Sequence, residues 1–117
     1  MRHPDAAFDR EGLLARLDGD VELMAELIAT FVAGLPALRE AIAAAVAARD
    51  GEALRHSAHT LKGAATNFGA RTVVETAAFL ERCGARQEWE PVDENHRKLD
   101  AALAQLSAEL EHARGVA

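Results

Sequence analysis

The stretch GEALRHSAHTLKGAATNFG, Gly51 to Gly69, decides how the chain folds. Leu54, Ala58, Leu61, Ala65 and Phe68 recur at alternating steps of four and three, so they line one face of an α-helix. Asp50 and Gly51 break the chain before this helix and Gly69 stops it. Working outward, the same punctuation divides the rest into helices. Asp9 caps a short first helix carrying Leu13, Leu14 and Leu17, which Gly19 ends. Asp20 caps a second with Leu23, Leu27 and Phe31 on one face, ending near Gly34. Pro36 then sits in the first turn of a third helix, whose apolar stripe is Leu38, Ile42 and Val46. Past Gly69, a fifth helix from about Arg71 to Cys83 buries Val73, Ala77 and Leu80, with Gly84 as terminator. Pro91 opens the sixth, where Val92, Leu99, Leu103, Leu106 and Leu110 form a seam with coiled-coil spacing.

Composition agrees. Of 117 residues, 27 are Ala and 14 are Leu, Val plus Ile number nine, and Tyr is absent. Ala and Leu are strong helix formers, whereas strands favour β-branched and aromatic side chains. The expected fold is all-α: an antiparallel up-down four-helix bundle, with two short N-terminal helices packed at one end. One domain over residues 8–112 is expected, with 1–7 and 113–117 as terminal tails.

Several function classes fall away. With 13 Lys plus Arg against 19 Asp plus Glu, the net charge is −6, which argues against nucleic acid and anionic membrane as main partners. The lone Cys83 excludes a disulfide framework or a Cys-based zinc site and suits a reducing cytoplasm. The longest apolar run, Ala41 to Ala48, is far short of a membrane span, and the N-terminus has acids where a signal peptide needs its apolar stretch. A G-x-x-x-x-G-K-[ST] nucleotide loop is absent from the sequence. A soluble, cytoplasmic monomer is expected.

The polar face of this helix, expected to run from about Gly51 to Asn67, breaks the pattern. On a helical wheel His59 lies about 140° and Gly63 about 180° from Leu54, both toward solvent, with Lys62 nearer the flank. Gly63 costs roughly 1 kcal/mol against Ala and no core contact requires it. Omitting a side chain one turn beyond His59 lets another protein's backbone approach the imidazole. Lys62 can bring an ammonium beside whatever the ring carries. A neutral imidazole is a nucleophile at physiological pH. The set suits the carriage of a phosphoryl group.

AHTLKGAATNFGA, Ala58 to Ala70, resembles the phosphorylation-site signature of histidine-containing phosphotransfer (HPt) domains, whose core reads H-x-x-K-G. The likeness extends over about 100 residues, roughly Phe8 to Leu110, and includes LARLDGDVELMAELIATFVAGLPAL upstream. It implies that His59 is the phosphoacceptor, taking the group on its outer ring nitrogen and exchanging it with an aspartate of a receiver domain. By the same resemblance Lys62 screens the phosphoryl charge, Gly63 gives the receiver access, and Glu81 orients the imidazole. Glu81 also falls about 40° from Ala77, at the edge of its helix's inner stripe. Arg55, His56, Thr66 and Asn67 are the flanking candidates for partner contact, with Ala64, Phe68 and the second helix as apolar surroundings.

The partners implied are response-regulator receiver domains or a hybrid histidine kinase. The chain itself is expected to bind no cofactor, with Mg²⁺ held by the receiver during transfer, and to have no ATP-dependent kinase activity. The alternative is a helical interaction module that binds a signalling partner without carrying phosphate. His56 and His59 lack the spacing and the further ligands of a helical zinc site, so no metal is expected. His3, His96 and His112 read as solvated, Cys83 as a small hydrophobe, and Trp89 as a staple at the start of the last helix. The starting Met and full helix set favour a free-standing domain.

Overall fold

The structure, a computed structural model, describes residues 6–115. Among them are five helices and no strand: α1 (Arg10–Arg16), α2 (Val21–Ala48), α3 (Gly51–Thr66), α4 (Arg71–Arg86) and α5 (Val92–Gly115). The four long helices close a ring, α2 against α3 and α5, and α4 against α3 and α5, while α1 lies on α2. Short turns join α2 through α5, so neighbours run antiparallel. At about 1.5 Å per residue α2 is about 42 Å long, close to the molecule's 43 Å longest dimension.

Acidic caps set the helix starts, as the punctuation predicts. Asp9 accepts from the Gly12 N–H at 3.1 Å, Asp20 from Leu23 at 3.0 Å and Asp50 from Ala53 at 3.1 Å. The expected stripes of the last three helices are the core. Leu54, Ala58, Leu61 and Ala65 are fully enclosed with Phe68, as are Val73, Ala77 and Leu80, and Val92, Leu99, Leu103, Leu106 and Leu110. Phe68 also meets Phe31, ring centroids 4.9 Å apart, and Phe8 at 6.0 Å, which seals the end of the bundle under α1.

The N-terminal half departs from expectation. The two helices read on either side of Gly34 and Pro36 are one, α2, with Pro36 in its interior. Among the described residues there is accordingly one short N-terminal helix, and the first half of α2 belongs to the bundle. An interior proline costs about 3 kcal/mol. Against it, α2 buries Met24, Ile28, Phe31, Leu35, Ile42, Ala45 and Val46, and each large apolar side chain contributes about 1.5–3 kcal/mol. Packing therefore outweighs the local penalty, and Pro36 itself is exposed, where water can serve the carbonyl left unpaired. The inner face is also rotated. Met24 and Ile28 are inside, whereas Leu23 and Leu27 are 38% and 37% exposed. In so apolar a segment both sets satisfy helical spacing. By length and composition α2 is long and apolar enough to cross a membrane, its apolar window having mean hydropathy 1.7, yet its buried face is the bundle core.

Gly84 is a second correction. It lies inside α4, which runs on to Arg86 and is capped by Gln87 in the left-handed region (φ 56°). A Cβ on Gly84 would come 2.5 Å from the Gly51 carbonyl oxygen and 2.7 Å from the Arg55 nitrogen, so this glycine exists for helix contact, not termination. The ordered fold also passes both ends of 8–112. The Glu109 carboxylate accepts from the Ala7 and Phe8 N–H groups, each at 2.9 Å, and Ala113 is buried in α5.

Two glycine substitutions should therefore have opposite signs in urea denaturation. Gly84→Ala is expected to lower stability by about 1–3 kcal/mol through overpacking. Gly63→Ala, where a Cβ meets nothing within 4 Å, is expected to raise it by up to about 1 kcal/mol.

Candidate functional site

The site is set by the α3–α4 contact. Gly84 abuts the Gly51 carbonyl and the Arg55 nitrogen, and Ala58 and Ala77 are both fully buried. Because the helices are antiparallel, one turn forward on α3 leads from Arg55 to His59, while one turn back on α4 leads from Gly84 to Glu81. Both side chains arrive at the same level of the groove. The Glu81 carboxylate lies with Oε2 at 3.0 Å from His59 Nδ1 and Oε1 at 2.7 Å from Lys62 Nζ. Side-chain exposure falls from 61% at His59 through 32% at Lys62 to 21% at Glu81, so the carboxylate supports the ring from beneath.

Electrostatics fix which ring nitrogen is free. The Lys62 ammonium, as hydrogen-bond partner, holds the Glu81 carboxyl below its ordinary value; partial burial opposes this, and the His59 contact adds to it. An ionised carboxylate accepts and cannot donate. The 3.0 Å bond therefore needs the hydrogen on Nδ1, and in a neutral ring Nε2 keeps its lone pair at the exposed edge. Gly63 is exposed, and a Cβ there would meet nothing. Its missing side chain serves no internal contact, so the open approach beside His59 is a property of the surface alone.

The remaining expected site residues share this surface. Arg55, His56, Lys62, Gly63 and Thr66 fall within about 60° of His59 on the α3 wheel. Arg55 is paired with Glu52, Nε to Oε2 at 3.1 Å and Nη2 to Oε1 at 2.5 Å. His56 is exposed. The Thr66 hydroxyl donates to the Lys62 carbonyl at 2.7 Å, which ties it to its own helix. Asn67 is the α3 C-cap, and its carbonyl accepts from Arg16 Nη2 at 2.6 Å.

Other readings fare variously. His96 is not solvated: its side chain is 20% exposed, with Nε2 3.7 Å from Asp100, which also pairs with Arg39. His112 is exposed, and His3 lies outside the described residues. Cys83 is buried, and burial pushes its thiol pKa up. Trp89 packs on the core, with the Arg49 guanidinium 5.4 Å over its ring. Among the described residues no three His, Cys, Asp or Glu side chains converge as a metal-ligand group.

The apolar surroundings expected near Ala64, Phe68 and the second helix take the form of a groove of about 340 Å³ lined by Leu13, Leu17, Leu27, Phe31, Ala64 and Phe68, to which the sequence reading did not assign α1. Leu27, expected on the inner face with Leu23 and Phe31, lines this groove instead. The available signal was the α2 segment itself, apolar on more faces than one core can cover.

The Hpt domain family model matches residues 26–112, most of the chain. The chain belongs to the Hpt domain family and is a histidine phosphotransfer module of phosphorelay signalling. Its fold is shared with the crystal structure of histidine-containing phosphotransfer protein B (HptB) from Pseudomonas aeruginosa PAO1, at a TM-score of 0.88 and 24% identity, covering 97% of this chain and 98% of that one. No curated protein sequence matches the chain.

The Glu81 bond predicts a spectroscopic signature. Nitrogen-15 NMR of the neutral His59 ring should show the hydrogen on Nδ1 and not on Nε2, and Glu81→Ala should release the ring to a tautomer mixture. Because the Glu81 pKa is depressed, the contact's stabilisation is present above about pH 4.3, the ordinary glutamate value. It is lost only as pH falls through the lower, folded-state value. A titration of the His59 ring resonances through that range checks the sign.

Proposed function

We propose that this chain is a phosphocarrier that exchanges a phosphoryl group between His59 Nε2 and an aspartate of a response-regulator receiver domain. The observation that carries the reading is the Glu81 carboxylate bound to His59 Nδ1, which turns the Nε2 lone pair outward. In the forward step the lone pair forms the P–N bond. The P–O bond of the receiver's acyl phosphate breaks, and its electrons return to the aspartate carboxylate. No proton need move, because Nδ1 keeps its hydrogen and Glu81 offsets the positive charge that develops on the ring. Lys62, already 2.7 Å from Glu81, can turn to the phosphoryl oxygens and screen them. The reverse step uses the same contacts.

Positioning and charge neutralisation carry most of the catalysis in such transfers. Mg²⁺ is assigned to the receiver's acidic pocket. This chain supplies no nucleotide site and acts without kinase activity of its own, in the cytoplasm, as a monomer. Gly63 admits the receiver's backbone beside the ring. Arg55, His56, Thr66 and Asn67 form the polar surround. The groove under Leu27 and Ala64 is the apolar half of the docking surface, next to the polar centre as transient interfaces require.

Incubation with a labelled phospho-receiver should place acid-labile, base-stable phosphate on the wild-type chain. His59→Gln should remain folded and take no label; label on that variant contradicts the assignment. Gly63→Arg or Gly63→Glu should keep full helical content by circular dichroism while slowing transfer on the order of a hundredfold, equivalent to about 3 kcal/mol of lost docking energy.

A further inference from the structure

The site holds more cationic charge than its resting contacts reveal. Arg55 and Lys62 stand one turn before and one turn after His59, both displaced by about 40–60° toward α4. Each is occupied by a carboxylate: Lys62 by Glu81 at 2.7 Å, and Arg55 by Glu52 through two contacts at 3.1 and 2.5 Å. The two pairs differ in kind. Glu81 is held in the α3–α4 groove with its side chain 21% exposed and also binds the ring, so it cannot leave without releasing His59. Glu52 is 76% exposed, lies in the first turn of α3 and has Arg55 as its side-chain hydrogen-bond partner.

Resting on the phosphocarrier reading, we propose that Arg55 is a phosphoryl-binding residue, held in reserve by Glu52 and transferred to the phosphoryl group on His59 Nε2. Residues four apart on a helix have Cβ atoms about 5–6 Å from one another, well within the reach of an arginine side chain. An exposed ion pair between neighbours on one helix is weak and readily exchanged. A guanidinium binds two phosphoryl oxygens with a planar pair of hydrogen bonds, a geometry that an ammonium lacks. Lys62 alone must divide its charge between Glu81 and a dianion. Arg55 has no such conflict once it leaves Glu52. Glu52 and, more weakly, the Glu81 carboxylate both act on the Arg55 charge, so the guanidinium lies within electrostatic reach of the ring's own carboxylate partner. Glu52 is thus a positioning residue. It keeps Arg55 paired and neutralised until a phosphoryl group competes for it.

The test separates this role from ordinary contact with a partner's surface. A small phosphoryl donor, phosphoramidate, presents no protein surface: its P–N bond breaks, ammonia leaves, and His59 Nε2 takes the phosphoryl group. Labelling of His59 by phosphoramidate should slow about fivefold in Arg55→Gln, recover at least in part in Arg55→Lys, and quicken about twofold in Glu52→Gln, where Arg55 is free. The spontaneous decay rate of the phosphorylated variants, followed by phosphorus NMR, should move with Arg55 as well. Circular dichroism establishes that each variant keeps its helices. Unchanged phosphoramidate rates in both Arg55→Gln and Glu52→Gln overturn the proposal, as does a loss in Arg55→Gln confined to the KM for a phospho-receiver. Wild-type protein that takes no label from a phospho-receiver defeats the phosphocarrier reading itself, a distinct result.

Discussion

Everything about the site depends on how closely α3 and α4 approach. Two glycines, Gly51 and Gly84, face one another so tightly that a Cβ on either would lie 2.5 Å from the other's carbonyl oxygen. Farther along, Ala58 and Ala77 keep the interface narrow. Only at that separation does a glutamate on α4 reach an imidazole on α3 while its own stem remains in the groove. A wider interface would leave Glu81 too far from Nδ1, and His59 would be one more solvated histidine. The small residues that make the chain's composition monotonous are thus what bring Glu81 to His59.

Charge then acts on that geometry. Glu81 serves two partners at once, the Lys62 ammonium through one oxygen and the His59 ring N–H through the other. The ammonium keeps the carboxylate ionised, the ionised carboxylate fixes the tautomer, and the tautomer exposes Nε2. The chain's net charge of −6 would by itself repel a phosphorylated acidic partner. Lys62 and Arg55 place positive charge beside His59, on the face where the proposed transfer would bring the phosphoryl group. Both cations are paired with carboxylates at rest, Lys62 with Glu81 and Arg55 with Glu52.

The parts of the fold that could be read from sequence were those where one apolar stripe was unambiguous. α3, α4 and α5 each carry a single run at helical spacing, and each run is the core. α2 resisted because it is apolar on several sides: Leu23–Leu27 and Met24–Ile28 are equally good stripes locally, and only the position of α1 and the rest of the bundle selects between them. Pro36 reads as a helix start for the same reason, since its local cost is visible in sequence whereas the long-range burial that outweighs it is not. Gly84 was mistaken for a terminator because a packing glycine and a capping glycine look alike until the opposing helix is known. At the site, His59, Lys62 and Gly63 stood out as departures from a surface otherwise built for helix stability. Glu81 needed the resemblance to Hpt domains to single it out, because its meaning lies across an interhelical contact. Glu52 gave no signal, being an ordinary acidic residue in a first helical turn.

The central claim is that Glu81 dictates which nitrogen of His59 reacts. Phosphorus and nitrogen-15 NMR of the phosphorylated, labelled protein tests it most directly, through the scalar coupling between phosphorus and the imidazole nitrogens. Direct coupling to Nε2 of His59, with Nδ1 still protonated, is expected. Phosphorus bonded to Nδ1, or to any residue other than His59, would contradict it.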